Sequence, residues 1–179
     1  MLIEKGQESR NNPDNLKAQQ NHLLYFQGFL KAWNKEEETI FTNVVGATKL
    51  YDLSFNLFRN QGFGHLVGIT SIASIRGNRG APAYFSSKAY QKAYLESLYM
   101  KTKTIKSNKV FITDIRPGFV DTAMALGDGI FWMVSLEKAA KQIYTAIKKK
   151  KRVAYISKRW RLIAFILKIA PASFLKKMI

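Results

Sequence analysis

The chain has 179 residues, enough for one domain with a hydrophobic core, and 47% of them are hydrophobic, which argues against a disordered chain. It contains no cysteine and two histidines, so disulfides and thiolate metal sites are excluded and no metal is predicted. The formal net charge is +17, and 13 of the 29 Lys and Arg residues follow Glu137, the last acidic residue, so the basic excess is concentrated toward the C-terminus.

The N-terminal segment, 1–33, is mostly polar and is predicted to be a divergent leader without regular order. It lacks the apolar core of a signal peptide, and the absence of cysteine suits a reducing compartment, so we expect a cytoplasmic protein. A domain is predicted at 34–157, followed by a basic and apolar tail at 158–179.

An amphipathic helical pattern runs from 34 to 60 and begins with Lys-Glu-Glu-Glu, which suits the positive end of a helix dipole. Asn43 lies inside this helix, where Asn is mildly unfavourable and would ordinarily be a surface residue. The side chains predicted to face the core are Phe41, Val44, Val45, Leu50, Leu53, Phe55 and Phe58.

Three short apolar segments, at 65–70, 110–116 and 153–156, are predicted to be strands. Helical patterns at 83–100 and 136–149 separate them. Because strands and helices alternate, the sequence predicts an α/β fold with a parallel sheet and right-handed crossovers.

Ser71 follows the first predicted strand and precedes a loop rich in Gly and Pro. Tyr84 and Lys88 stand four residues apart on the next helix, so their side chains share one face. The Tyr-x-x-x-Lys spacing alone is weak, because it occurs three times, but only this pair follows a strand ending in Thr-Ser and a Gly-rich loop. The other two pairs, predicted to lie on solvated helix faces, are Tyr99/Lys103 and Tyr144/Lys148.

The stretch HLVGITSIASIRGNRGAPAYFSSK, residues 65–88, resembles the active site of classical short-chain dehydrogenase/reductases. In that family a Ser is followed by Tyr thirteen residues later and by Lys four residues after that. Asn43, 28 positions before Ser71, falls where the family has its catalytic Asn, and Pro117-Gly118 with Thr122 match the turn after its sixth strand. The resemblance covers about 36–157.

The resemblance implies a Rossmann-like doubly wound parallel sheet. The family's Thr-Gly-x-x-x-Gly-x-Gly turn, which cradles the cofactor pyrophosphate at a helix N-terminus, does not occur in this sequence, nor does its Asn-Asn-Ala-Gly segment. We therefore expect a fold truncated in its N-terminal half.

The resemblance also implies reversible hydride transfer between NAD(P), with NAD or NADP left open, and an alcohol or carbonyl substrate. Physical chemistry supports the roles: a Tyr with a pKa of about 10 becomes an acid/base group when an ammonium lowers that pKa. A Ser hydroxyl can steady the substrate oxygen. The implied catalytic residues are Asn43, Ser71, Tyr84 and Lys88, and the implied cofactor contacts are Tyr84, Lys88, Pro117, Gly118, Val120 and Thr122.

The substrate and partners are less defined. An apolar segment after Thr122 predicts a lipophilic carbonyl substrate or, equally, ordinary packing; its bulky members are Met124, Leu126, Phe131, Trp132 and Met133. We expect a homo-oligomer and no nucleic acid partner.

Two alternatives stay open beside an oxidoreductase. The first is a catalytically inactive fragment or interaction module, and the second is a basic protein that binds a membrane surface. The tail at 158–179 is too short and interrupted to span a bilayer. It is predicted either to pack on the domain and close the substrate pocket, or to make peripheral contact with an anionic membrane.

Overall fold

The computed structural model describes residues 33–106, 109–121 and 132–171. The predicted leader, except for its last residue, and Thr122 lie outside the described residues. The chain divides into two compact units, Met1–Glu38 and Thr39–Ile179. The described part of the first unit, 33–38, is helical, and everything below concerns the second unit.

The helix predicted at 34–60 is not uniform. Residues 33–40 are α-helical, a π-helix follows at Phe41–Gly46, and helix α1 occupies Ala47–Gln61. The remaining elements are strand β1 at Phe63–Ile69, a 3₁₀ turn at Ile72–Ile75, helix α2 at Pro82–Thr102, strand β2 at Lys109–Pro117, helix α3 at Leu136–Lys148, strand β3 at Val153–Ile156 and helix α4 at Trp160–Ile169.

Local chemistry explains several of these boundaries. Gly62 ends α1 in the left-handed conformation, with φ 81°, and its N–H donates to the Phe58 carbonyl. Pro82 begins α2, where its fixed φ suits the first turn and its missing N–H costs nothing. Ser135 caps α3 by accepting a hydrogen bond from the Lys138 N–H.

The three strands form a parallel sheet, as predicted, and their order in it is β1-β2-β3. Ile69 lies opposite Ile115, and Pro117 lies opposite Ile156, so the strands end at one common edge. Among the described strands β1 is an outer one. We call the common edge the carboxyl edge of the sheet.

Helices cover both faces of this sheet, because alternate strand residues point to opposite sides. On one face α1 and α2 pack against β1 and β2, with Leu66, Leu95 and Ile112 in the core. On the other face α3 packs against β2 and β3 around Ile115 and Ile156. This arrangement confirms the predicted doubly wound α/β fold.

The predicted buried side of the first helix is partly wrong. Tyr51 and Phe55, four residues apart, are the buried side chains of α1, because this row faces the sheet. Leu53, for example, is 70% exposed, whereas Phe55 is 3% exposed. The residues that were expected in the core but are exposed are Phe41, Val45, Leu50 and Leu53.

The described part of the tail forms α4, which packs against β3 and the 3₁₀ turn. Its buried residues are Trp160 and Ala164. None of the helices in the described ranges is long and apolar enough to cross a membrane.

Candidate active site

Ser71 and the start of α2 meet at the carboxyl edge, where parallel α/β sheets bind their ligands. β1 ends at Ile69, and Ser71 begins the 3₁₀ turn by accepting a hydrogen bond from the Ala73 N–H at 3.1 Å. Helix α2 packs against this turn. Ser71 and Tyr84 are both half-buried, so each hydroxyl group belongs to a residue that solvent can reach.

Lys88 ties α2 to the end of β1. Its Nζ donates to the Ile69 carbonyl at 3.2 Å and to Gln91 Oε1 at 3.2 Å, and it lies 5.9 Å from the centroid of the Tyr84 ring. Burial lowers the pKa of Lys88, because a charged ammonium loses water there. The structure thus places this cation beside Tyr84 and on the carbonyl of Ile69, which precedes Ser71 by two residues.

Asn43 faces α2 because of the π-helix around it. In a regular α-helix the Ala47 N–H would donate to the Asn43 carbonyl, but here it donates to Thr42, five residues back. The Asn43 carbonyl instead accepts from Gln91 Nε2 at 2.8 Å, and Asn43 Nδ2 donates to Ser87 Oγ at 3.1 Å. Backbone and side chain of Asn43 are therefore both fixed to α2.

Gln91 and Ser87 were not predicted from the sequence. Gln91 is only 4% exposed and joins Lys88 to Asn43, while Ser87 Oγ donates to the Tyr84 carbonyl at 2.8 Å. Both lie on the helical face that carries Tyr84 and Lys88, and polar residues at such buried positions were the available signal. We call Asn43, Ser87, Lys88 and Gln91 the Lys88 network.

The Pro117-Gly118 turn continues β2 at the same edge. The Gly118 N–H donates to the Ile156 carbonyl at 2.6 Å, which extends the pairing of β2 with β3. A Cβ on Gly118 would come within 2.1 Å of the Trp160 indole, so this position needs glycine for space. Helix α4 therefore begins directly on the turn.

Val120 is held at this edge by a bridge to Val134. The Val134 N–H donates to Phe119 at 3.1 Å, and the Asp121 N–H donates to Val134 at 2.9 Å. Thr122 lies outside the described residues. The structure therefore brings Asn43, Ser71, Tyr84, Lys88, Pro117, Gly118 and Val120 to one edge of one sheet.

A model of the family "short chain dehydrogenase" matches residues 29–128, more than half of the chain. The chain belongs to the short chain dehydrogenase family. An uncharacterized oxidoreductase of Myxococcus xanthus is 35% identical over 92 residues, which are 51% of this chain and 35% of that protein. Sepiapterin reductase of Chlorobaculum tepidum is 36% identical over 86 residues, 48% of this chain and 34% of that protein.

Solved structures of short chain dehydrogenases share the fold. One from Burkholderia cenocepacia, in complex with NADP, has a TM-score of 0.67 at 14% identity and covers 80% of this chain. The match covers 59% of that structure's chain. The chain thus spans about a third of the length of the two sequence relatives and less than two thirds of the solved one. These findings confirm the predicted family and the Rossmann-like fold class.

A second buried polar network lies under α2 on the same face of the sheet in this short chain dehydrogenase. Asp114 Oδ1 accepts from Thr70 Oγ1 at 2.5 Å, and Asp114 Oδ2 accepts from Arg116 Nε at 2.7 Å. Arg116 Nη1 donates to the Tyr155 hydroxyl at 3.0 Å. Burial opposes the charge of Arg116, but the Asp114 carboxylate and Tyr155 together raise its pKa above the usual value. We call these four residues the ion-pair network.

Position in the fold separates Tyr84 from the other Tyr-x-x-x-Lys pairs. Lys103 Nζ lies 5.4 Å from the Tyr99 ring, as close as the pair at Tyr84, but Tyr99 belongs to the last turn of α2, near the opposite edge of the sheet. Tyr144 on α3 is 65% exposed. Only the pair Tyr84/Lys88 stands at the carboxyl edge beside Ser71.

Proposed function

We propose that this chain supplies the acid–base chemistry of an NAD(P)-dependent oxidoreductase acting on an alcohol or carbonyl compound, with Tyr84 as the acid/base group. One observation carries the proposal: the Lys88 ammonium lies 5.9 Å from the centroid of the Tyr84 ring, at the carboxyl edge of a parallel sheet. Family membership and the oxidoreductase names of relatives support it.

The Lys88 ammonium lies beside the Tyr84 ring, so a cation stands next to the hydroxyl group that would exchange a proton with the substrate. Tyr84 then takes a proton from the substrate alcohol during oxidation, or gives one to the carbonyl oxygen during reduction. Ser71 donates its hydroxyl hydrogen to the same substrate oxygen and steadies the negative charge that develops on it.

Asn43 and Gln91 act on Lys88 rather than on the substrate. Gln91 accepts from the ammonium and donates to the Asn43 carbonyl, so Lys88 is held on the side of α2 that faces Tyr84. In the resembled family the Asn holds a water molecule in a proton relay. In this chain the Gln91 amide spans the space between Lys88 and the Asn43 carbonyl.

The residues at the carboxyl edge fit the nicotinamide ribose end of NAD(P). Lys88 and Tyr84 offer a cation and a hydroxyl to ribose hydroxyl groups, and the backbone of Val120, with Pro117 and Gly118, would line the nicotinamide ring. The cofactor supplies the hydride or accepts it. The fit rests on the groups present: the Lys88 ammonium and the Tyr84 ring stand together at the carboxyl edge, and Lys88 donates to the last residue of β1.

We propose a lipophilic carbonyl substrate and a homo-oligomeric protein. Trp132 and Met133, the described members of the predicted apolar wall, are 40% and 48% exposed and are therefore available to an apolar ligand. On α1 the side chains of Leu50, Leu53 and Leu57 form an exposed row, which supports contact with a second copy.

The decisive experiment measures ketone and aldehyde reduction by the chain with NADPH and with NADH. Tyr84→Phe should lower the rate at least about a hundredfold while thermal unfolding stays unchanged, because only the proton-transferring hydroxyl is lost. Tyr144→Phe is the matched control, since Tyr144 has the same spacing to Lys148 but lies elsewhere, and it should keep the full rate.

A Tyr84→Phe variant with more than about a hundredth of the wild-type rate would refute the role of Tyr84. If the wild-type chain neither binds nucleotide nor turns over any substrate, the alternative is favoured, namely an interaction module that keeps the second half of the fold. Calorimetric titration with both nucleotides separates these two results.

A further inference from the structure

We propose that helix α4 docks on the surface of an anionic membrane through the face that points away from the core. The inner face of α4 is already in use: Trp160 and Ala164 are buried. Arg76, in the segment after the Ser71 turn, donates a hydrogen bond to the Ala170 carbonyl just beyond the helix. The helix is therefore fixed on the domain at both ends and presents its other side outward.

That outward side is apolar. Leu162, Phe165, Ile166 and Ile169 are 59%, 61%, 43% and 66% exposed, and we call them the outer stripe. Their i, i+3, i+4, i+7 spacing puts them in one row, about opposite the row that holds Trp160 and Ala164. Large apolar side chains collected in one row on a surface usually have a binding partner.

Basic side chains stand at the beginning of this helix. Lys158 and Arg161 line a groove of about 830 Å³ whose other cations are Lys138, Lys141 and Lys151. Lys158 and Arg161 lie at the N-terminal end of α4, which is the positive end of the helix dipole, so their charges do not stabilise the helix. The first turn of α4 also has no acidic residue that would offset them. An external anionic surface explains their position, whereas helix stability does not.

Charge decides which partner covers the outer stripe. A second copy would bring an equally basic surface, because the chain carries a net charge of +17 and no Asp or Glu after Glu137. Nucleic acid satisfies the cations but offers no apolar layer for Phe165 and Ile166. An anionic bilayer offers both, with headgroups for the cations and acyl chains for the stripe.

The first test is co-sedimentation of the full chain with vesicles of phosphatidylcholine alone and of phosphatidylcholine mixed with phosphatidylglycerol. We expect binding to the anionic vesicles, weakened by salt because exposed charges are screened, and little binding to the neutral ones. Equal binding to both kinds of vesicle, or no binding to the anionic ones, would overturn the proposal.

The second test removes the stripe. Phe165→Gln combined with Ile166→Gln should weaken binding to anionic vesicles at least about tenfold, since two buried apolar side chains are lost. Phe63→Gln with Met100→Gln is the matched control, because both residues are 60% exposed and neither belongs to α4. The control should bind like the wild type, and circular dichroism confirms folding of all variants.

The third test removes charge. Lys158→Gln with Arg161→Gln should weaken anionic binding roughly tenfold and reduce its salt dependence, whereas Lys101→Gln with Lys103→Gln should change it little. These substitutions affect exposed side chains only, so they test the same surface even if the stripe variant does not fold. If the stripe variant binds like the wild type, or if it instead dissociates a dimer in sedimentation velocity, the stripe does not contact membrane and the proposal fails.

Discussion

A partly buried and a buried polar network lie under helix α2 on one face of the sheet, and they hold their cations differently. In the ion-pair network the Arg116 guanidinium meets the Asp114 carboxylate, with Nη2 and Oδ2 2.6 Å apart. In the Lys88 network the described partners of the ammonium are the Ile69 carbonyl and the Gln91 amide, both neutral.

This difference in partners gives the two cations opposite pKa shifts. Paired with a carboxylate, Arg116 has a raised pKa and stays charged. Without such a charge beside it, Lys88 has a lowered pKa, as burial alone would cause. A half-buried cation held by neutral acceptors can direct its field at a neighbour, and Tyr84 is that neighbour.

The largest effect is expected from breaking the ion pair. Asp114→Asn leaves the guanidinium buried without a counter-charge and should lower the free energy of unfolding by about 3–5 kcal/mol. Urea denaturation measures it. Asp114→Leu with Arg116→Met is the control, because removing both charges should cost much less. A loss below about 1 kcal/mol in the single variant would show that solvent already compensates the charge.

A substitution in the Lys88 network should lower the free energy of unfolding less than Asp114→Asn does, but it should change catalysis more. Gln91→Leu removes the donor to the Asn43 carbonyl and should destabilise the fold by about 1–3 kcal/mol. If Gln91 positions Lys88, the same change should also alter the pH profile of carbonyl reduction.

The matched control for that change is Gln61→Leu. Gln61 also donates to a main-chain carbonyl, that of Phe63 at 2.7 Å, but this bond is exposed and should contribute less than about 0.5 kcal/mol. Equal losses in the two variants would mean that burial of Gln91 has no special consequence.

A smaller effect is expected at the rim of the ion-pair network. Tyr155→Phe removes one acceptor from Arg116 but leaves its carboxylate partner, so the loss should be about 1 kcal/mol by thermal or urea unfolding. A loss as large as that of Asp114→Asn would indicate that Tyr155, not Asp114, fixes the guanidinium.

The smallest effect is a pH dependence. Because the pKa of Lys88 is lowered in the folded state, the unfolded chain binds more protons between that pKa and about 10.4. The contribution of Lys88 to the free energy of unfolding therefore rises with pH across this window. Lys88→Met should flatten that slope in urea titrations at several pH values, with the exposed Lys103→Met as the control for charge loss on the surface. An unchanged slope would contradict the lowered pKa.

Local sequence patterns were sufficient for the elements that depend on local chemistry. The three strands and helices α2 and α3 begin and end within about two residues of their predicted positions, since apolar runs, Pro82 and Ser135 mark them, whereas α4 was predicted only as a basic and apolar tail. Ser71, Tyr84 and Lys88 were predicted as site residues through spacing and family resemblance, and the structure brings Lys88 to Tyr84.

Features that depend on distant residues could not be predicted in the same way. The bond from Gln91 to Asn43 joins positions 48 residues apart, and the π-helix at Phe41–Gly46 places the Asn43 carbonyl to receive it. The buried side of α1 was misassigned because its apolar residues surround the helix, and only packing selects Tyr51 and Phe55. Asp114 and Arg116 stand within a run interpreted simply as a strand, although two charged residues in a central strand signal a buried pair.

The contact between Gly118 and Trp160 has a consequence for how sequences in this family can vary. A methyl group at position 118 would overlap the indole, so the two positions cannot change independently. Relatives that carry Ala or Ser where this chain has Gly118 should carry a smaller residue where it has Trp160, and relatives that keep the tryptophan should keep the glycine. The beginning of helix α4 and the Pro117-Gly118 turn should thus form a correlated pair of positions.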